Sequence, residues 1–392
     1  MSRALDGLKV LELSRVLAGP WCGMMLADQG AEVIKLEPLD GDDTRGYGPP
    51  FFEGPEHAGL SAYFACCNRN KRSLALDLRH PGAAPLRDAL LRWADVLIEN
   101  YRSGVAETLG VGYEAALAIN PRLVYCSISG YGRDGSQAQR AGYDFAIQAD
   151  AGAMSVTGAA DGEPHRFGVA VADLATGQNA AFAILAALRQ RDRTGQGQRI
   201  DLSLFDTQLT GLANVASSAL FTGADAPRYG NTHASIVPYQ VFRARDGEFV
   251  LAVASEKLWR AFCQAMECED WLADPRCARN AERVRHREWL CEALSQRFAT
   301  QPVAHWLALL LAAGVPAAPV NSVSAALRHP VATERGLRIE IEGVPMLGSP
   351  IRLSASAPRH ERAPPALGQH STEIAAMLGI DPAPLQSTGA MR

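Results

Sequence analysis

Six short apolar runs punctuate the first 205 residues, and helical stretches separate several of them. Residues 8–13 (LKVLEL), 31–36 (AEVIKL), 72–78 (RSLALDL), 95–99 (DVLIE) and 123–128 (LVYCSI) read as strands. Residues 199–205 (RIDLSLF) read as a strand or a strand-to-helix entry. Residues 21–29, stopped by Gly30, read as a helix, as do 85–94 and the Ala-rich stretch 170–190. Parallel neighbours need long crossovers, and helices are the usual ones. This alternation therefore predicts an α/β fold with a mainly parallel sheet.

The character changes near residues 222–229. Residues 239–253 alternate apolar and polar about Asp246-Gly247, the signature of a hairpin. Helical stretches rich in Trp, Cys and Arg follow over 258–311, so a separate α+β subdomain is expected. From about residue 335 come short strands, the Pro-rich loop RAPPALGQH and a last helix over 372–378.

Composition excludes several classes. A hydrophobic share of 47% with 20% charged residues can offset chain entropy, so disorder is not the main state. The net charge is -4, without the basic footprint of a nucleic-acid binder. Only Lys9, Lys35, Lys71 and Lys257 are lysines. Asp6, Lys9 and Glu12 interrupt any signal-peptide core, and the longest apolar run, 306–315 (WLALLLAAGV), is about half a membrane span. It reads as a buried helix, and no membrane association is expected. The eight cysteines form no C-x-x-C pair and no zinc spacing, so reduced thiols, a cytoplasmic setting and no metal site are expected.

Few motifs carry chemistry. Gly110-Val111-Gly112 with Ala115 spells G-x-G-x-x-A, but Glu107 and Thr108 precede it where the dinucleotide fingerprint needs an apolar strand. It reads as a loop of tight turns. Neither a P-loop nor a G-x-S-x-G elbow occurs. His233 sits in a Gly/Asn-rich loop, YGNTHASIVPYQ, near the subdomain boundary. Asp173 opens the apolar, Ala-rich helix in VADLATGQNAAF. It reads either as a helix N-cap or as a carboxylate nucleophile at a helix N-terminus.

The chain resembles the class III CoA-transferase family, also known as the carnitine-transferase-like or formyl-CoA transferase family. The matching segments include LDGLKVLELSRVLAGPWCGMMLADQGAEVIKLE, NRNKRSLALDLR, ADVLIENYRSGV, NPRLVYCSISGYGRDG, RAGYDFAIQADAGAMSVTG, VADLATGQNAAFAILAALRQRDRTGQGQRIDLSLFD and GNTHASIVPYQVF, spread from residue 5 to about 370. The resemblance implies a Rossmann-like CoA-binding domain over 1–222, a smaller α+β domain over 223–330, a C-terminal segment, 331–392, returning to the large domain, and an interlocked-ring homodimer. It implies that Asp173 attacks an acyl-CoA thioester and passes through an aspartyl anhydride and an aspartyl-CoA thioester. No cofactor is bound tightly; a CoA thioester is a substrate and a small carboxylic acid is its partner.

The resemblance also implies CoA contacts at Leu17, Ala18, Leu76, Arg79, Asn100, Tyr101, Arg102, Tyr143 and Asp144. A substrate loop would involve Arg15, Gly230, Asn231, His233 and Ser235. Leu17 stands where formyl-CoA transferases carry a glutamine, which weakens oxalate as acceptor. Tyr143 stands where the family's α-methylacyl-CoA racemases carry a proton-transferring histidine, which weakens a racemase. The loop spelling RYGNTHASIVPYQVF is most similar to that of the transferases acting between succinyl-CoA and glutarate. A racemase, an oxalate transferase and a non-catalytic CoA binder are the alternatives.

Overall fold

The structure, a computed structural model, describes residues 3–392. It divides into two compact units: one runs up to Ala153 and includes Arg166–Ala224 and Pro330–Arg392, the other comprises Met154–His165 and Asp225–His329.

The first unit is built on six parallel strands: β1 (Lys9–Glu12), β2 (Glu32–Glu37), β3 (Lys71–Ala75), β4 (Val96–Glu99), β5 (Val124–Ser129) and β6 (Gln198–Ser203). Their order, β3-β2-β1-β4-β5-β6, is that of a doubly wound sheet. Helices cover both faces, so the strands are apolar on both sides. Leu11, Ile34, Leu74, Leu97 and Tyr125 face one core layer, and Val10, Val33, Val96, Ile98 and Cys126 face the other. The predicted strands and parallel pairing are those found, within a residue or three at each end.

Up to residue 224 the helices of this unit are α1 (Ala18–Asp28), α2 (Ala62–Ala65), α3 (Ala84–Trp93), α4 (Val105–Thr108), α5 (Tyr113–Ile119), α6 (Asp144–Asp150), α7 (Val171–Thr194), α8 (Leu204–Gly211) and α9 (Ala213–Thr222). Helix α1 begins three residues before the expected Trp21. Pro20 lies in its first turn, where no backbone N–H is needed, and so does not delay it. Gly110 and Gly112 fall in the turns between α4 and α5, away from any strand-to-helix crossover. A five-residue helix, Ala383–Ser387, follows the expected final one, Ser371–Met377.

Helix α7, not the run at 306–315, is long and apolar enough to cross a membrane by length and composition. It packs on α1, α8, β5 and β6, and 44% of its most apolar window is buried. Gly177 makes the α1 contact possible: a Cβ there would lie 2.5 Å from the Ala18 carbonyl oxygen.

The second unit holds the expected hairpin, β7 (Tyr239–Arg243) and β8 (Glu248–Ala252), extended by a short third strand, β9 (Ala317–Pro319). Helices α10 (Glu256–Ala265), α11 (Asn280–Arg285), α12 (Arg287–Phe298) and α13 (Val303–Ala312) pack with it, and a short helix, Val323–Leu327, follows β9. Its core is aromatic. The Phe298 ring centroid lies 5.0 Å from those of Phe242 and Phe249 and 5.2 Å from that of Trp306. The Trp306 indole N–H donates to the Phe298 carbonyl at 2.8 Å. Residues 154–165, far away in sequence, belong to this unit, where the Arg228 guanidinium donates to the carbonyls of Ser155, Ala159 and Gly162.

Candidate active site

In a doubly wound sheet a crevice opens where neighbouring strands send their connections opposite ways, at the carboxyl ends of β1 and β4 here. A cleft of about 170 Å³ lies there, lined by the loops after β1, β4 and β5 and by the first turns of α6 and α7. Two of these loops are clasped across the crevice. The Arg15 N–H donates to Asn100 Oδ1 at 2.8 Å, and Asn100 Nδ2 returns a bond to the Arg15 carbonyl at 2.7 Å.

The loop after β1 is strained and stapled. Val16 sits at φ 69°, a conformation that a β-branched residue adopts only under constraint. Its N–H reaches both carboxylate oxygens of Asp42 at 3.3 Å. Below it lies a buried charge cluster. Lys35 Nζ donates to the Ser14 carbonyl at 2.9 Å and pairs with Glu12 at 3.1 Å and Asp42 at 3.0 Å. Lys71 Nζ donates to the Pro20 carbonyl at 2.9 Å and to Asn68 at 2.8 Å, and pairs with Glu12 at 2.8 Å. Two lysines sharing one glutamate thus hold the carbonyls on either side of residues 15–19.

Burial works against both ammonium groups. For Lys35, the surrounding Glu12, Asp42 and Glu37 more than offset it and hold the group above its ordinary range. For Lys71, burial dominates, Lys35 adds repulsion, and the group stays below its ordinary range despite Glu12.

Asp173 is not the N-cap of α7. The cap position is Ala170, and Asp173 lies in the first turn as the third helical residue. The capping is done from α6. Asp144 Oδ2 accepts the N–H groups of Ala172 at 2.8 Å and Asp173 at 3.3 Å, and Oδ1 accepts Gln148 Nε2 at 2.5 Å. Gln148 in turn accepts the Phe167 N–H at 2.7 Å. The N-cap reading of Asp173 fails because a carboxylate 29 residues earlier already occupies those donors.

The Asp173 carboxyl is half-buried, and no Lys or Arg pairs with it among the described residues. Burial, with the Asp144 charge adding to it, pushes it up to about 7. A group poised there is protonated or ionised with little cost at neutral pH, which suits a reacting carboxyl.

The cleft brings together Arg15, Leu17, Ala18, Asn100, Tyr101, Arg102, Tyr143, Asp144 and Asp173. Tyr143 is 68% exposed at its mouth. Leu76 and Arg79 do not line it: Leu76 is buried in the core beneath β3, and Arg79 is exposed on the following loop. Gly230, Asn231, His233 and Ser235 lie in the second unit. There His233 Nδ1 accepts the Ser235 N–H at 3.1 Å, and its ring lies 5.1 Å from that of Tyr239. Arg287 and Asn280 hold the carbonyls of Ala234 and Ser235 at 2.7 Å each.

Sequence reasoning missed Glu12, Lys35, Lys71 and the glycine pair Gly130 and Gly142. A Cβ on Gly142 would lie 2.3 Å from the Gly130 Cα, so the two ends of the loop joining β5 to α6 touch backbone to backbone. Three of only four lysines, Lys9, Lys35 and Lys71, sit in strands, which was the available signal for the charge cluster. Among the described residues, no group of three or more His, Cys, Asp or Glu is placed to hold a metal ion.

Comparison with known proteins agrees with this geometry. The family described as CoA-transferase family III matches residues 5–371. A succinate–glutarate CoA-transferase of Agrobacterium fabrum is 42% identical over 381 residues, covering 95% of each chain. The human succinyl-CoA:glutarate CoA-transferase is 40% identical over 378 residues, covering 95% of this chain and 85% of its own. The crystal structure of a CaiB/BaiF family protein from Brucella suis superposes with a TM-score of 0.88 at 43% identity, covering 96% of this chain and 100% of that one. Fold, cleft and full-length similarity agree: the chain belongs to CoA-transferase family III.

Proposed function

We propose that the protein moves CoA from an acyl-CoA, succinyl-CoA first among candidates, to a small dicarboxylic acid such as glutarate, and that Asp173 is its covalent nucleophile. The observation that carries this reading is Asp173 itself: a half-buried carboxyl in the first turn of α7, without a cationic partner among the described residues, in the cleft at the sheet's switch point.

The steps balance without a cofactor. The Asp173 carboxylate attacks the thioester carbonyl and CoA leaves as thiolate, giving a mixed anhydride. The thiolate attacks the Asp173 carbonyl, frees succinate and leaves an aspartyl-CoA thioester. The acceptor carboxylate then displaces CoA from Asp173 to form a second anhydride. The returning thiolate attacks the acceptor's carbonyl, releasing the new acyl-CoA and the Asp173 carboxylate.

The surroundings support this chemistry. The first turn of α1 carries no acidic residue and no side-chain cap, which suits the phosphates of CoA beside Leu17 and Ala18. Asn100, Tyr101 and Arg102 fit the same ligand, with Tyr143 at the mouth of the cleft. Arg15, tied at 3.3 Å to Asp43, is a cation available to the distal carboxylate of a diacid.

A homodimer belongs to the same proposal. The first unit exposes Phe182 at 75%, Leu220 at 84% and Phe221 at 90% of their surface, together with an apolar cavity of about 800 Å³ beside Trp21, Met25 and Leu347. Apolar surface of that extent calls for a cover, and a second copy supplies it. Eight free cysteines fit a reducing, cytoplasmic setting.

The test is a donor–acceptor screen read by mass spectrometry. The purified protein is given succinyl-CoA with glutarate, oxalate, itaconate, malate, carnitine or acetate singly. Glutaryl-CoA is expected, and Asp173→Ala is expected to lower its formation by at least about 1,000-fold. A variant that kept the full rate would sink the nucleophile assignment. Transfer to acetate or carnitine in preference to every diacid would overturn the dicarboxylate reading, and preference for oxalate would select the oxalate alternative.

A further inference from the structure

Asp144 shares the cleft with Asp173, but both of its carboxylate oxygens are engaged within the protein. Oδ1 is taken by Gln148 and Oδ2 by two backbone N–H groups of α7. It is 8% exposed. The helix it caps has no cap of its own, since Ala170 offers no side-chain acceptor. Through Gln148 the same carboxylate is linked to the backbone of Phe167 and Val169, the strand of chain leading into α7.

We propose that Asp144 is a positioning residue for the transfer reaction, fixing the backbone of Asp173 by capping α7 from α6 while setting a second negative charge against the nucleophile. The proposal rests on the reading of Asp173 as that nucleophile. Its chemical content is a repulsion that exists only while Asp173 is a free carboxylate. In the anhydride and in the thioester Asp173 carries no charge, so the repulsion vanishes on acylation. Asp144 therefore raises the free enzyme relative to both covalent intermediates, and it makes the Asp173 carboxylate a more basic nucleophile. A hydrogen-bonded N-cap without charge would give the placement but not the repulsion.

Among the described residues, no other charge near Asp173 offers the same push. Tyr63 on α2 and Tyr143 before α6 are phenols. Arg15 and Asp43 face each other at 3.3 Å, and Arg140 is paired with Asp150 at 2.6 Å. Arg102 lines the same cleft, pairs with no acidic side chain among the described residues, and acts in the opposite sense, favouring the anion. Helix α1 has no charged side chain before Asp28, which Arg69 holds. Asp206 lies in the first turn of α8, and on β6 Arg199 and Asp201 face each other at 3.7 Å.

Asp144→Asn separates the two roles, because an amide oxygen can still accept from the α7 backbone. The pH profile of kcat/KM for succinyl-CoA should keep its acidic limb but move it down by about one unit. Asp144→Ala, which removes cap and charge together, should lower kcat at every pH. A structural role alone predicts a uniform loss for Asn with the limb in place, and a CoA contact predicts a raised KM with the limb in place. Either result overturns the proposal.

A stability measurement reads the same coupling without turnover. The difference in Tm between Asp173→Asn and the wild type should grow between pH 5 and pH 8, and that growth should shrink in the Asp144→Asn background. Equal growth in both backgrounds would also overturn it. Failure of the nucleophile reading looks different: Asp173→Asn would then retain transfer, whatever Asp144 does.

Discussion

Two interiors of this protein are held by opposite means. Beneath the cleft loop, Glu12, Lys35 and Lys71 are fully buried and satisfied by one another, by Asp42 and Asn68, and by backbone carbonyls. In the second unit, Phe242, Phe249, Phe298 and Trp306 fill a core through ring contacts. Apolar packing is the cheaper route to stability, and a buried ion cluster is weak evidence for it. The cluster instead fixes directions. Each lysine pins a carbonyl at one end of residues 15–19, which no hydrocarbon could do. Where a loop must hold Val16 at φ 69°, charge is used; where only volume must be filled, aromatic rings are.

The comparison predicts that the first interior is sensitive to charge at constant shape and the second to volume at constant polarity. Glu12→Gln, nearly isosteric, should have the largest effect. It leaves Lys71 without a carboxylate and Lys35 with one fewer, a loss of about 3–5 kcal/mol. Urea unfolding measures it, and acyl transfer should fall with it as residues 15–19 relax. A cost below about 1 kcal/mol would mean that water or Asp42 replaces the shared anion, and the staple idea would go.

Phe298→Ala should cost about 3–4 kcal/mol through the cavity left among three rings, whereas Phe298→Leu should cost under about 1.5 kcal/mol. Similar losses for both would show that ring geometry, not volume, holds that core.

The smallest effect sharpens the contrast at the cleft itself. The Asp173 carboxyl is pushed up to about 7, against an unfolded value near 3.9. Between those values the folded protein holds more protons than the unfolded chain, so stability falls as pH rises from about 4 to about 7. Asp173→Asn cannot ionise. It should match the wild type at the acidic end and become more stable by a few degrees in Tm above neutrality, while losing activity. Thermal melts at pH 5, 6, 7 and 8 test this; a constant offset would contradict it.

The parts of this architecture that obey a short period were legible in the sequence. Six strands, the hairpin about Asp246-Gly247 and the long helix bearing Asp173 all announce themselves through apolar spacing. The neighbourhood of Asp173 was legible as residues but not as relations. Nothing in a local window says that Asp144 caps a helix that begins 27 residues later, so Asp173 itself looked like a cap. Buried charge is invisible for the same reason: Lys35 and Lys71 are 36 residues apart and meet only because β2 and β3 pair in parallel register. Residues 154–165 belong to the second unit, where one guanidinium, Arg228, reaches three carbonyls 66 to 73 positions earlier in the chain.

The contact between Gly130 and Gly142 also bears on how this cleft could be redesigned. Two main chains already at closest approach leave no side chain to trim, so the wall they form can be neither widened nor narrowed in small steps. Admitting a bulkier acid would have to proceed through residues with atoms to remove, such as Tyr143 or Arg140 on the same rim. The wall itself behaves as a fixed gauge against which any new substrate must be fitted.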